Sequence, residues 1–344
     1  MYHYVINFKQ SSRLWRRDGS PKIRQEKFMT DLTVKPLRDD LPFGASIWGV
    51  TREALEKEEN RDLIKQTFED CGVVIFEDIE QSGEMQIAVS KVLGPLKDHP
   101  VSTVERTDED VVPGVIVIRS DGEGQTVEVD GKRLVTWQPW HFDHCYQDEL
   151  NYAGVLRSIS LPSEGGLTGF ADGVQIWNDL PEDVRARIED KEIIYTLFLH
   201  YEDMKYDTEG MKVVTKSASD IYDYAATLPR AIHPAVWQRE TGDKVFHMSP
   251  WMSFGVVGEE TPEGDALFEE AWDAAKKAMK PYFHQWKGTE MVAWDNARML
   301  HRGTGSSPDE LRIMHRTTIQ GDYGLGHWEE GGQKATRWVA EPVE

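Results

Sequence analysis

Short apolar runs of strand length recur along nearly the whole chain, whereas helical periodicity is confined to a few inserted segments. That pattern disfavours alternating βαβ units and leaves a closed or double-sheet β architecture, mainly β with flanking helices, as the expected fold. Strands are expected at 73–76, 114–119, 152–158, 193–199, 212–215, 244–248, 291–294 and 311–319, and helices at 51–70, 83–93, 173–190, 217–228 and 262–285. The first helix would bury Leu55, Leu63, Ile64 and Phe68 and stop at Gly72, and Thr261-Pro262 supplies an N-cap and first-turn pair for the last. Asp130-Gly131, between alternating runs at 126–129 and 132–135, is a hairpin signal. Such a hairpin would serve as a flap over a site or as an ordinary surface element.

Composition sets outer limits. A chain of 344 residues with 39% hydrophobic content can bury a full core, and we expect one domain over 31–344. The first 30 residues carry Lys9, Arg13, Arg16, Arg17, Lys22, Arg24 and Lys27 against Asp18 and Glu26, a balance opposite to the rest, so a loosely ordered basic arm is expected. That arm would be a solvated tail, or would dock on an acidic neighbouring subunit of a homo-oligomer. A net charge of −21 repels nucleic acid and anionic membrane, so neither is an expected partner. Cys71 and Cys145 are too few for a disulfide framework, and no long apolar run or signal-peptide layout is visible, so a cytoplasmic protein is expected.

His141-Phe142-Asp143 carries the chemistry. In an extended strand residues i and i+2 point the same way, so the His141 ring and the Asp143 carboxylate can converge on one ion while Phe142 faces elsewhere. A second histidine would complete two His and one carboxylate, the ligand set of non-heme Fe(II) oxygenases. Spacing alone does not decide, because eleven His and 60 acidic residues in 344 positions make about two His-x-Asp/Glu matches expected by chance. His200-Tyr201-Glu202 and His327-Trp328-Glu329 are further examples.

Context decides. Trp140-His141-Phe142-Asp143 is followed by Leu161-Pro162-Ser163-Glu164-Gly165-Gly166-Leu167-Thr168-Gly169-Phe170, then by Trp294-Asp295-Asn296-Ala297-Arg298-Met299-Leu300-His301, then by Arg312-Ile313-Met314-His315-Arg316. These blocks, in this order, resemble the taurine and 2,4-dichlorophenoxyacetate dioxygenase family of Fe(II)/2-oxoglutarate enzymes, over roughly residues 30 to 325. The resemblance implies a double-stranded β-helix, or jelly roll. It makes His141, Asp143 and His301 the Fe(II) ligands, and Thr168 and Arg312 the partners of the distal carboxylate of 2-oxoglutarate. It also implies that O2 and 2-oxoglutarate yield succinate and CO2 as a C–H bond of the primary substrate is oxidised. Halogenating relatives replace the carboxylate ligand with a small residue; Asp143 is present, so hydroxylation or oxidative cleavage is expected.

The substrate is read from fewer residues. Arg312 and Arg316 share a strand face about 13 Å apart, too far for one small anion, so Arg312 would hold 2-oxoglutarate and Arg316 an anionic substrate. The alternative for either is a surface ion pair. His99 lies in a stretch that resembles the one where the taurine enzyme places a substrate-binding histidine, and His144 can turn its ring or its backbone N–H to the substrate. Gly165-Gly166 would permit the tight approach that seats Thr168, and Trp294-Asp295-Asn296 would support the turn that delivers His301. Cys145, two residues past Asp143, could approach the metal or fill the core. Two rivals remain at this level: a zinc-dependent hydrolase on the same ligands, which leaves Arg312 and Thr168 without a task, and a non-catalytic jelly-roll protein that binds a small anion.

Overall fold

Val73-Val74-Ile75-Phe76 is apolar at every position because both of its faces are covered. Val73 and Ile75 point into a core with Phe170, Val292, Trp294 and Met314, while Val74 and Phe76 join a second core with Ile64, Phe68, Met85 and Val89 of two helices. The computed structural model describes residues 31–98, 105–107, 114–120, 125–197, 201–215, 229–321 and 323–329. Among these, an eight-stranded sheet runs in the order Thr33–Pro36, Ala45–Trp48, Val73–Phe76, Met291–Asp295, Ala153–Ser160, Arg312–Ile319 and Leu96–Lys97, with Val115–Ser120 also paired to Arg312–Ile319. All its pairings are antiparallel except that between Ala45–Trp48 and Val73–Phe76.

A six-stranded sheet faces it, in the order Met211–Thr215, Thr126–Val129, Lys132–Trp137, Met299–Ser306, Thr168–Asp172 and Tyr282–His284. The core between the two sheets includes Phe170 from the smaller and Leu156, Val292 and Trp294 from the larger, and the Phe170 and Trp294 rings lie 6.1 Å apart. Helices Glu58–Cys71 and Gly83–Leu93 cover the outer face of the large sheet, and the helix Pro262–Ala278 packs through Phe268, Ala271 and Trp272 on the core beneath Phe142 and Tyr195. The result is a jelly roll with helices outside it.

Several elements differ from expectation for local reasons. The first helix breaks at Lys57 into Arg52–Glu56 and Glu58–Cys71, and the break is held by Asn60 Nδ2 donating to the Ala54 carbonyl at 2.8 Å and by Arg61 Nη1 donating to those of Leu55 and Glu56. The helix expected over 173–190 is two, Gly173–Asp179 and Glu182–Ile188, because Pro181 lacks a donor and forces Leu180 into extended backbone. The helix expected to reach 285 ends at Ala278, and Tyr282–His284, after Pro281, pairs with the Thr168–Asp172 strand. Strands Thr168–Asp172 and Met299–Ser306 were not foreseen at all. The Asp130-Gly131 hairpin is present with both turn residues at positive φ, 51° and 74°, as a two-residue primed turn requires. Its Lys132–Trp137 strand pairs with the strand that carries His301. The arm at 1–30 and the helix expected at 217–228 lie outside the described residues.

Candidate active site

His141 and His301 are joined through their backbones: His141 N–H donates to the His301 carbonyl at 2.9 Å and His301 N–H to the His141 carbonyl at 2.8 Å. This reciprocal pair sets the two rings side by side, with centroids 4.1 Å apart. Past His141 the chain leaves the sheet. The extended-strand account of His141-Phe142-Asp143 is therefore corrected: Asp143 lies in a turn, and His144 follows with φ of 60°. Phe142 does face away, stacked on His247 at 3.8 Å and edge-on to Tyr195 at 5.5 Å.

What returns Asp143 to the histidines is Asn296. Its Oδ1 accepts from the Asp143 N–H at 2.7 Å, and its Nδ2 donates to the Asp143 carbonyl at 3.0 Å and to Asn151 Oδ1 and carbonyl, both at 3.2 Å. Asp295 Oδ1 accepts from the Ala297 N–H at 3.1 Å, which shapes the turn ahead of His301. The support expected of Trp294-Asp295-Asn296 thus reaches Asp143 as well as His301. Behind them Arg298 is buried on Asp172 through Nε at 2.9 Å and Nη2 at 2.8 Å, tying the His301 strand to the Thr168–Asp172 strand.

His141, Asp143 and His301 are buried, with one ligand atom from each within 4.8 Å of the others, the one group of three or more such side chains among the described residues. His141 Nδ1 lies 2.8 Å from the Pro139 carbonyl, an arrangement that places its hydrogen there and leaves the Nε2 lone pair aimed at Asp143 Oδ1, 3.8 Å away. His301 Nε2 stands 3.5 Å from Asp143 Oδ2. Burial, helped by neighbouring His301, lowers the His141 pKa to about 3, so the ring is neutral at physiological pH. Burial raises the Asp143 carboxyl, but Arg316 and then His301 outweigh it and hold it well below the usual range. A neutral His141 ring, His301 Nε2 and an ionised carboxylate facing one another form a socket that suits a cation. The donor set fits Fe(II).

Thr168 and Arg312, the residues expected to hold an anion, are buried as well. Arg312 is buried, its Nε has no hydrogen-bond partner, and among the described residues its one protein contact of this kind is Nη2 to the Gly166 carbonyl at a marginal 3.5 Å. Burial with no facing carboxylate lowers its pKa to about 10. Gly166, with φ of 64°, lies so close that a Cβ there would come within 3.2 Å of Arg312 Nε and 3.0 Å of Pro162 Cγ. Two residues on, Thr168 Oγ1 accepts from the indole N–H of Trp286 at 3.1 Å.

Arg316 is placed differently from expectation. It is neither a surface ion pair nor open to a substrate alone: Nη1 donates to Asp143 Oδ1 at 3.1 Å, and Nη2 lies 2.9 Å from Oδ2, an ionic contact off the hydrogen-bonding direction. Its Nε and Nη2 remain without hydrogen-bond partners, and its Cζ sits 5.5 Å over the Trp294 ring. His144 is buried beside Tyr146, and His99 lies outside the described residues. Cys145 is a core residue whose thiol faces Met252 Sδ at 3.8 Å and whose pKa burial pushes up. Of the other spacings, His200 is outside the described residues and His327 is exposed on a two-residue strand. Trp251 lies edge-on to His141 at 4.8 Å, and Trp286, bonded to Thr168, carries no spacing signal that could have marked it.

A jelly roll that encloses two histidines, a carboxylate and a buried arginine with no counter-anion among the described residues has the features of a non-heme Fe(II) oxygenase that uses an anionic co-substrate. The chain belongs to the taurine catabolism dioxygenase TauD, TfdA family, whose model matches residues 33–318. It is 28% identical over 297 residues to the (S)-phenoxypropionate/alpha-ketoglutarate-dioxygenase of Sphingobium herbicidovorans, covering 84% of this chain and 95% of that one. The alpha-ketoglutarate-dependent 2,4-dichlorophenoxyacetate dioxygenase of a Burkholderia species is 26% identical over 78% of this chain and 88% of its own. A taurine dioxygenase structure from Burkholderia xenovorans superposes with a TM-score of 0.63 at 22% identity, covering 88% of this chain and 97% of that one. The protein is an oxidoreductase of this family, dependent on Fe(II), 2-oxoglutarate and O2.

Proposed function

We propose that residues 31–344 form one catalytic unit in which His141, Asp143 and His301 hold Fe(II), Arg312 and Thr168 hold the distal carboxylate of 2-oxoglutarate, and Arg316, with His99 and His144, receives the substrate. The carrying observation is Arg312: a buried guanidinium with unused donors and no counter-charge among the described residues is costly unless an anion completes it. A zinc hydrolase would leave that arginine without a role. Fe(II), when bound, supplies O2 activation coupled to decarboxylation of the oxo-acid. The chain's residues supply orientation. Arg312 and Thr168 fix one end of 2-oxoglutarate, Asn296 holds Asp143 in line, and the neutral His141 presents its Nε2 without losing a proton first.

The substrate is a small organic anion, carboxylate or sulfonate, and the reaction is hydroxylation or oxidative cleavage. The names of the phenoxypropionate and 2,4-dichlorophenoxyacetate relatives support an aryloxyalkanoate. Arg316 supports the anionic end: a guanidinium carries five N–H donors, and the contacts of Nη1 and Nη2 with Asp143 leave Nε for a second carboxylate or sulfonate. No helix among the described residues is long and apolar enough to cross a membrane, which is consistent with the cytoplasmic placement and small-molecule partner proposed here. We also propose a homo-oligomer, with the basic arm at 1–30 meeting an acidic neighbour. The test of the cofactor assignment is anaerobic addition of Fe(II) and 2-oxoglutarate. A visible metal-to-ligand charge-transfer band supports it, and no band with Fe(II) bound would favour the hydrolase.

A further inference from the structure

Trp286 is a buried side chain whose indole can only donate, and it donates to Thr168 Oγ1 at 3.1 Å. Its position is built with care by the residues around it. His284, the register partner of Thr168, presents its ring edge-on to Trp286 at 4.7 Å. His284 Nε2 bonds Glu290 Oε1 at 3.0 Å, and the same fully buried carboxylate accepts from the backbone N–H groups of Lys287 at 2.6 Å and Thr289 at 2.9 Å. The segment that carries Trp286 is thereby pinned at both ends.

The consequence lies in where the Thr168 hydrogen can go. A threonine hydroxyl ordinarily rotates to suit its neighbours and often bonds local backbone. Here one lone-pair direction is taken by the indole N–H, and among the described residues no acceptor receives the hydroxyl's own hydrogen. We propose that Trp286 is a positioning residue for 2-oxoglutarate: by donating to Thr168 Oγ1 it commits the Thr168 hydroxyl to donate to the distal carboxylate, and polarises it for that bond. The inference rests on the assignment of Thr168 and Arg312 to that carboxylate.

The test is a double-mutant cycle read by anaerobic titration of 2-oxoglutarate into the Fe(II) protein. The charge-transfer band of the wild type establishes the underlying assignment independently of Trp286. Trp286→Phe should then weaken 2-oxoglutarate by about two- to tenfold, the range of one hydrogen bond, while Fe(II) affinity, measured by chelator competition, stays the same. In a Thr168→Val background, Trp286→Phe should have no further effect on 2-oxoglutarate. Equal losses in both backgrounds, or none in the wild-type background, overturn the proposal. Should Trp286→Phe fold poorly, the indole N–H resonance of Trp286 in the unaltered protein gives the answer. It should shift on adding Zn(II) and 2-oxoglutarate, and should stay in place in Thr168→Val; a shift of equal size in both refutes the chain of bonds.

Discussion

The two arginines on one strand have different surroundings, and the roles proposed for them differ accordingly. Arg312 has no counter-charge among the described residues, so its partner must be supplied from outside. Arg312→Ala should raise the 2-oxoglutarate concentration for half-saturation by about ten- to a hundredfold, the equivalent of one charge-assisted bond of about 1.5 to 3 kcal/mol. Arg312→Lys should rescue it in part, and titration of the charge-transfer band reads both. Arg316 already has Asp143, so its removal is felt at the metal ligand and at the substrate together. We expect Arg316→Gln to lose substrate-stimulated succinate formation while slow uncoupled turnover of 2-oxoglutarate persists. A variant that keeps full coupling would leave Arg316 with no role beyond orienting Asp143.

At the scale of elements, the junctions matter more than the strands. Asn296 serves both backbone groups of Asp143 and also Asn151, so Asn296→Ala strands several buried polar groups at once. It should cost about 3 kcal/mol or more in stability and weaken Fe(II) by about ten- to a hundredfold, measured by thermal melting and chelator competition. The end of the helix Glu58–Cys71 offers a pH-dependent counterpart. Burial pushes the Asp70 carboxyl up to about 6. Its folded pKa lies above the unfolded one, so folding is penalised as pH rises from about 4 to 6, and the penalty is complete above that range. Asp70→Asn should leave stability unchanged near pH 4 and increase it at pH 7, by on the order of 1 kcal/mol once partial solvent contact is discounted, which thermal melting at the two pH values reads as a higher midpoint at pH 7 only.

At the scale of the molecule, ligand binding and folding are one equilibrium. Fe(II) with 2-oxoglutarate at a hundred times its dissociation constant should stabilise the fold by about 2.7 kcal/mol, which an anaerobic melt registers as a rise of a few degrees; Arg312→Ala should flatten the response to 2-oxoglutarate. Much of this architecture was legible in the sequence because it rests on local chemistry: apolar runs covered on both faces, Gly83–Leu93 bounded by its cap, Asp130-Gly131 in a turn that needs positive φ. The three side chains that cluster as candidate ligands, His141, Asp143 and His301, were legible from block order. What escaped was non-local or masked by small residues. Met299–Ser306 carries Gly303 and Gly305, which erase the strand signal, and Asn296 and Trp286 act through partners far away in sequence. Pro181 and Pro281 did mark the two helix ends that were misread. The backbone pair between His141 and His301 has a further consequence for biosynthesis. Two of the three side chains proposed to hold Fe(II) leave the ribosome early and the third much later, on the order of ten to thirty seconds at ordinary elongation rates. Until residue 301 emerges there is no socket, so a nascent or truncated chain cannot capture iron, and loading falls to the finished polypeptide.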